Sequence, residues 1–330
     1  MNRRETVLAL VALGVAGAPI ASIAQKKEKV WRVGIVWGGS GLTSKANDEA
    51  FLAGMKERGY LVGRNLIIDT RYADGDSTRV LALVHEVIAL KPDVLLGSTA
   101  AAAIAMKSST KTIPIVMGTV SDAVGTGLAQ SLGRPGGNVT GVSLQLHELS
   151  AKHIEIMAEL LPRMKRVALL TDLSQPKTLS EQYERIAHAV TNAKGLALEV
   201  HRVDSVETLR QVFQALKTRR VDALLINPSP RFNSLRREII ESSASIRLPS
   251  VGFTEEYAQG GGLMSYGPSF VEAIRRATYF VVRIFEGAKP AELPIEQPTK
   301  FELVINMKTA RAIGVKIPPA LLFRAERVIE

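Results

Sequence analysis

The sequence contains no cysteine in 330 residues. That excludes a disulfide framework, a thiolate metal site, a cysteine nucleophile and a lipid-attachment cysteine, so stability has to come from packing. Aromatic residues are scarce at 5%, and they do not interleave with a basic stripe as they would on a nucleic-acid surface. Beyond Gln25 no apolar run is long enough to span a bilayer. No Walker A sequence occurs, and the three glycines of Gly38-Gly39-Ser40-Gly41 miss the spacing of a dinucleotide fingerprint. Gly141-Val-Ser143-Leu-Gln145 lacks the last glycine of a nucleophile elbow. Among the five histidines, His147 and His153 are six apart, too far round a helix for a one-face zinc pair. His85, His188, His201 and these two are read as solvent-facing or capping residues. A hydrolase or metalloenzyme is therefore disfavoured, and no catalytic residue, cofactor or metal is expected.

What is present is a chain 46% hydrophobic and 22% charged, long enough for two globular domains. Lys plus Arg minus Asp plus Glu is 42 − 32 = +10. The excess is scattered in pairs such as Lys165-Arg166, Arg219-Arg220, Arg236-Arg237 and Arg275-Arg276, which suits a solvated surface.

The chain opens on an export pattern. Arg3 and Arg4 precede a run from Thr6 to Gln25 without a charged residue, ending in the small-x-small triplet Ser22-Ile23-Ala24. Residues 1–24 read as a cleavable signal peptide that places the mature chain in the periplasm. An uncut anchor is the rival, and the Ala/Gly richness and the triplet favour cleavage. The paired arginines are twin-arginine-like, but Asn2 and Thr6-Val7 depart from that pattern, so the general secretory route stays open.

In the mature chain, apolar runs of four to seven residues alternate with longer stretches at helical spacing, the signature of βα units and parallel sheets. Val33–Trp37, Leu66–Tyr72, Val94–Gly97, Ile113–Thr119 and Val139–Leu144 form one series of strands. Val167–Thr171, Leu196–Val203, Ala223–Asn227 and Pro249–Phe253 form a second. Both series begin alike, with a strand entered from Arg32 or Arg166, so two similar α/β sheets in tandem are expected. Gly260-Gly261-Gly262 and the passage through Pro290, Pro294 and Pro298 read as crossings between domains, one pliable and one stiff.

In open parallel sheets ligands bind beyond the carboxyl ends of the strands, beside free helix N-terminal amides. The loops there carry Ser40, Ser98, Thr99, Ser121, Asp122, Asp172, Ser174, Gln175, Asn227, Ser229 and Glu255. Each one singly is as well explained as a helix cap, and only their convergence points to a site. Trp37, Phe253 and Tyr266 are the aromatics placed to stack on a ligand, with Trp37 equally readable as a strand-end core residue.

Ala89-Leu-Lys-Pro-Asp-Val94, Thr112-Ile-Pro-Ile-Val116, Ser121-Asp122 with Gly127-Leu128, Arg134-Pro-Gly-Gly-Asn-Val-Thr-Gly141, Gly261-Gly-Leu-Met-Ser-Tyr-Gly-Pro268 and Gln297-Pro-Thr-Lys-Phe-Glu-Leu-Val-Ile-Asn306 carry a resemblance. Over nearly the whole mature chain the sequence resembles the ABC transporter substrate-binding proteins of the tryptophan/tyrosine-type group. The resemblance implies the class I periplasmic-binding-protein fold: two Rossmann-like doubly wound parallel-sheet α/β domains joined by three crossover segments. Residues 25–143 with 262–297 would form the first domain and 144–261 with 298–330 the second, crossing near Leu144, Gly261 and Pro298. It implies that Ser98, Thr99, Ser121 and Asp122 face Asp172, Ser174, Gln175, Asn227, Ser229 and Glu255 across a cleft.

The function expected is capture of a small polar solute, an amino acid or similar, by hinge closure, and delivery to a permease with its ATPase. Asp122 or Glu255 would hold a ligand ammonium, while Ser98, Thr99 and Ser121 hold its carboxylate. The chain is expected to be a monomer with no nucleic-acid partner. A sensor subunit feeding a signalling receptor and a secreted α/β enzyme are the alternatives.

Overall fold

The computed structural model describes residues 29–330. The expected signal peptide lies outside them.

The first sheet has five strands: β1 (Trp31–Trp37), β2 (Leu66–Tyr72), β3 (Val94–Gly97), β4 (Ile115–Val120) and β5 (Val139–Ser143). They pair in parallel in the order β2-β1-β3-β4-β5. Helices α1 (Gly41–Glu57), α2 (Val80–Ala89) and α3 (Ala100–Ser109) connect them. With helices covering both faces, the strands are apolar throughout: Val33, Val36, Val94, Leu95, Leu96, Ile115 and Val116 have no solvent exposure. Ser40 starts α1 with a capping box, its side chain accepting from Thr43 N while Thr43 reaches back to the Ser40 backbone.

The chain then builds the second lobe. After α4 (Leu149–Leu160) come β6 (Arg166–Asp172), α5 (Lys177–Ala193), β7 (Ala197–Val203), α6 (Val206–Thr218) and β8 (Ala223–Ile226). The short α7 (Pro230–Ser234), α8 (Arg236–Ser245), β9 (Ser250–Gly252), α9 (Glu255–Gln259) and β10 (Met264–Pro268) follow. Helix α10 (Phe270–Phe285) returns to the first lobe, packing on α1 and β4. Finally β11 (Phe301–Asn306), α11 (Met307–Ile313), α12 (Pro319–Arg324) and β12 (Arg327–Ile329) complete the second sheet, ordered β12-β11-β10-β9-β8-β6-β7. All of its pairs are parallel except β10 with β11.

The two-sheet α/β architecture expected from the sequence is thus observed, with two departures. Strand β10 belongs to the second sheet, so residues 262–268 lie with the second lobe and not the first, and the crossing falls between Pro268 and Phe270. The triple glycine is no crossing. Gly261 has φ +107°, and Gly262 lies so close to the Tyr257 ring that a β-carbon would collide with it. The tract turns the chain tightly within one lobe. The second departure is His153, which has no exposure and was expected at the surface. Helical spacing puts it on the face of α4 that also buries Leu149, Ile156, Met157 and Leu160.

The crossing segments run side by side. Ser143 N donates to Glu296 O at 2.8 Å, Glu296 N donates to Gly141 O at 3.0 Å, and Pro268 pairs with Phe301. Among the described residues no helix is long and apolar enough to cross a membrane.

Candidate functional site

Strand order locates the site. In the first sheet β1 is flanked by β2 and β3, and in the second β6 is flanked by β7 and β8. Each order reverses there, leaving a crevice at the carboxyl ends of β1 and β3 and of β6 and β8. The two crevices face each other across one shared cavity.

Trp37 ends β1 and forms part of the wall, only 1% exposed. Its Nε1 donates to Asp48 Oδ1 at 2.7 Å, and Tyr72 OH donates to Asp48 Oδ2 at 2.6 Å, so one carboxylate orients both rings. Burial, then the hydrogen bond and charge of Asp48, push the Tyr72 phenol up to about 12. Gly38 follows, donating to Ser98 Oγ at 3.0 Å. A β-carbon there would sit 2.5 Å from Thr99 Cγ2 and 3.0 Å from Pro230 Cγ, so the glycine lets the lobes meet. Thr99 caps α3 by accepting from Ala102 N at 3.2 Å, and Ser98 O accepts from Thr119 Oγ1. The first turns of α1 and α3 present backbone amides without intrahelical partners.

From the second lobe come Gln175, Leu179, Pro228, Ser229, Pro230 and Asn233. Ser229 caps α7 through Phe232 N at 3.0 Å. Phe253 and Phe270 add a tilted aromatic pair with centroids 6.2 Å apart. The polar lining consists of hydroxyls and amides, with no ionised side chain among the described residues. A ligand entering it meets donors and acceptors that carry no net charge.

Of the residues predicted from the sequence, Trp37, Ser98, Thr99, Ser121, Gln175, Ser229 and Phe253 line this cavity. Asn227 lines an adjoining recess, and Ser174 a small side pocket with Thr99 and Gln175. The others are occupied elsewhere. Ser40 caps α1. Asp172, fully buried, accepts from Ser174 N and Oγ at 2.8 Å and from Arg231 Nε at 3.1 Å. Asp122 accepts from Val124 N, Gly125 N and Gln182 Nε2. Glu255 lies in a separate groove, paired with Arg327 at 3.3 Å, and its carboxyl is raised by burial and by neighbouring Glu256. Tyr266 stacks on Phe301 at 5.9 Å inside the second lobe. Neither Asp122 nor Glu255 therefore lines the cavity where an ammonium was expected.

Sequence reasoning missed Asn47, Asn233 and Phe270. Asn47 sits within α1 and Asn233 within α7, where a polar residue reads as solvent-facing, so no local signal marks either. Among the described residues no group of three His, Asp or Glu could hold a metal ion.

Comparison with known proteins fits this geometry. Residues 38–329 match the family model described as ABC transporter substrate binding protein. A tyrosine-binding protein of Clostridioides difficile is 23% identical over 270 residues, 81% of this chain and 76% of that protein. Two crystal structures are each 26% identical to the chain. One, a conserved domain protein from Vibrio cholerae O1 biovar El Tor, superposes with a TM-score of 0.84 over 91% of this chain and 100% of its own. The other, an ABC domain from Streptococcus pneumoniae in complex with L-Trp, has a TM-score of 0.81 over 90% and 100%.

Proposed function

The chain belongs to the family of ABC transporter substrate-binding proteins, and we propose that it is the periplasmic receptor of an importer, taking an amino acid with an aromatic side chain between its lobes and delivering it to a permease and its ATPase. It is a binding protein and not an enzyme. The observation that carries the ligand class is the cavity lining: aromatic and aliphatic walls, hydroxyl and amide groups, and no ionised side chain among the described residues. Burying a net charge there without a partner is costly, which favours a zwitterion over an acidic or basic amino acid. The amides opening α1 and α3, with Ser98 and Thr99, suit its carboxylate. Trp37, Phe253 and Phe270 suit its ring. The L-Trp complex and the tyrosine-binding relative support the same class.

Binding works by closure. Residues from both lobes line the cavity, so a ligand bridging them binds the closed form better and shifts the population toward it. The positive head and uncharged run of residues 3–25 support export.

Mass spectrometry of small molecules released from gently purified protein, followed by calorimetry with the amino acids found, tests the reading. An aromatic amino acid bound at micromolar concentration or below, with compaction in small-angle scattering, is expected. Binding of an acidic or basic amino acid in its place, or of none, overturns the ligand class.

A further inference from the structure

The main cavity adjoins a small recess, with Ser121, Leu146, Gln175, Leu179 and Pro228 belonging to both. The recess lies against the second lobe, away from the first turns of α1 and α3, and its wall includes His147, Tyr183 and Asn227. Two of its side-chain atoms are buried without a hydrogen-bond partner: Asn227 Nδ2 and His147 Nδ1. Asn227 is only 5% exposed, so its donor has no access to bulk water.

Tyr183 does not satisfy them. His153 Nε2 donates to Tyr266 O at 2.8 Å, which leaves His153 Nδ1 as the acceptor for Tyr183 OH at 3.1 Å. The Tyr183 proton is thereby committed. What remains is one amide N–H that needs an acceptor and one imidazole nitrogen that can accept. Buried polar atoms left unpaired cost free energy, and their retention in a binding cavity is explained when the ligand pairs them. A hydroxyl does both tasks at once, accepting with an oxygen lone pair and donating its proton. An indole N–H could serve His147 but would leave Asn227 unpaired. A phenyl ring serves neither.

We infer that the recess recognises a hydroxyl at the far end of the ligand, so that the protein selects a phenolic amino acid over its phenyl and indole counterparts, with Asn227 and His147 as the specificity-determining residues. This rests on the amino-acid-receptor reading above. The carboxylate end is held at the first lobe and the ring passes between Trp37 and Phe253. The hydroxyl then enters the recess of the second lobe, accepting from Asn227 Nδ2 and donating to His147 Nδ1.

Calorimetry with L-tyrosine, L-phenylalanine and L-tryptophan tests it on the mature protein and on Asn227→Ala and His147→Ala variants. The unsubstituted protein is expected to bind tyrosine at least about tenfold more tightly than phenylalanine, since a site built for a hydroxyl rejects the analogue without it. Each variant is expected to shrink that ratio to within about threefold, with the larger loss on tyrosine, because the hydroxyl contact is removed. His147 is half-buried, so its variant supplies the answer if Asn227→Ala does not fold. A ratio near one in the unsubstituted protein, or equal loss of both ligands in His147→Ala, overturns the hydroxyl reading while leaving an aromatic amino-acid receptor. Failure of all three amino acids to bind overturns the receptor's ligand class itself and this inference with it.

Discussion

Asp122 of the first lobe accepts a hydrogen bond from Gln182 Nε2 of the second at 3.2 Å, while it also accepts from Gly125 N at 2.8 Å and Val124 N at 3.1 Å. The carboxylate expected to hold a ligand ammonium is instead a turn cap and a clasp between lobes. A bond of this kind contributes about 1 kcal/mol to the form in which it is made.

Gln182→Ala removes the clasp without touching the cavity lining. Affinity for the ligand should fall roughly threefold to tenfold, because the closed form loses about that much population weight. Small-angle scattering should show the ligand-free variant more extended. Unchanged affinity and unchanged dimensions would mean the bond does not bias closure.

Asp48 holds Trp37 and Tyr72 together, and both partners lose their acceptor in Asp48→Ala. Destabilisation of about 1–3 kcal/mol is expected in urea unfolding, along with weaker ligand binding, since the Trp37 ring is no longer oriented. The Tyr72 phenol is raised by burial and by Asp48 to about 12 in the fold. Its contribution is therefore complete below the ordinary tyrosine value of about 10 and is lost as pH climbs from there toward 12. Tyr72→Phe should flatten that alkaline limb.

His153 gives an acid limb. Burial lowers it to about 4, opposed in part by its hydrogen bond to Tyr266 O. Its folded value lies below the unfolded one near 6.5, so the neutral form is favoured in the fold. Stability is fully present above about 6.5 and is lost as pH falls from there to about 4, by roughly 3 kcal/mol. Urea midpoints at pH 7 and pH 4.5 should differ less in His153→Gln than in the unsubstituted protein. An equal difference in both would assign the acid limb to other groups.

Gly141 has φ +126°, and a β-carbon there would strike Met117 O and N, where the β4–β5 register shifts. Gly141→Ala should cost roughly 2 kcal/mol or more, since the strain and the clash add. A thermal midpoint within a degree or two of the unsubstituted protein would show that the strand can slide to make room. Gly137→Ala, with nothing within 4 Å of the added carbon, is the matched control.

Much of the fold was legible in the chain because buried parallel strands need continuous apolar runs. Val33–Trp37, Val94–Gly97 and Val167–Thr171 fall on observed strands for that reason. His153 was not legible, since one polar residue on an apolar helix face can be buried or tolerated at an edge, and only the position of Tyr183 and Tyr266 decides which. The triple glycine reads as a linker by composition, whereas its cause is the Tyr257 ring. Asp122, Asp172 and Glu255 have the chemistry of ligand contacts, yet each is claimed by a local amide, an arginine or a turn.

By itself the sequence determined two α/β lobes and most of their strands, because hydrophobic periodicity is a local property. Only the tertiary structure decided which loops meet. Gly38 against Pro230, Asp122 with Gln182, and Asn227 in one recess with His147 are relationships between residues brought together by the crossings between the lobes. No local pattern encodes them, because the space between two rigid lobes depends on how the lobes are set against each other.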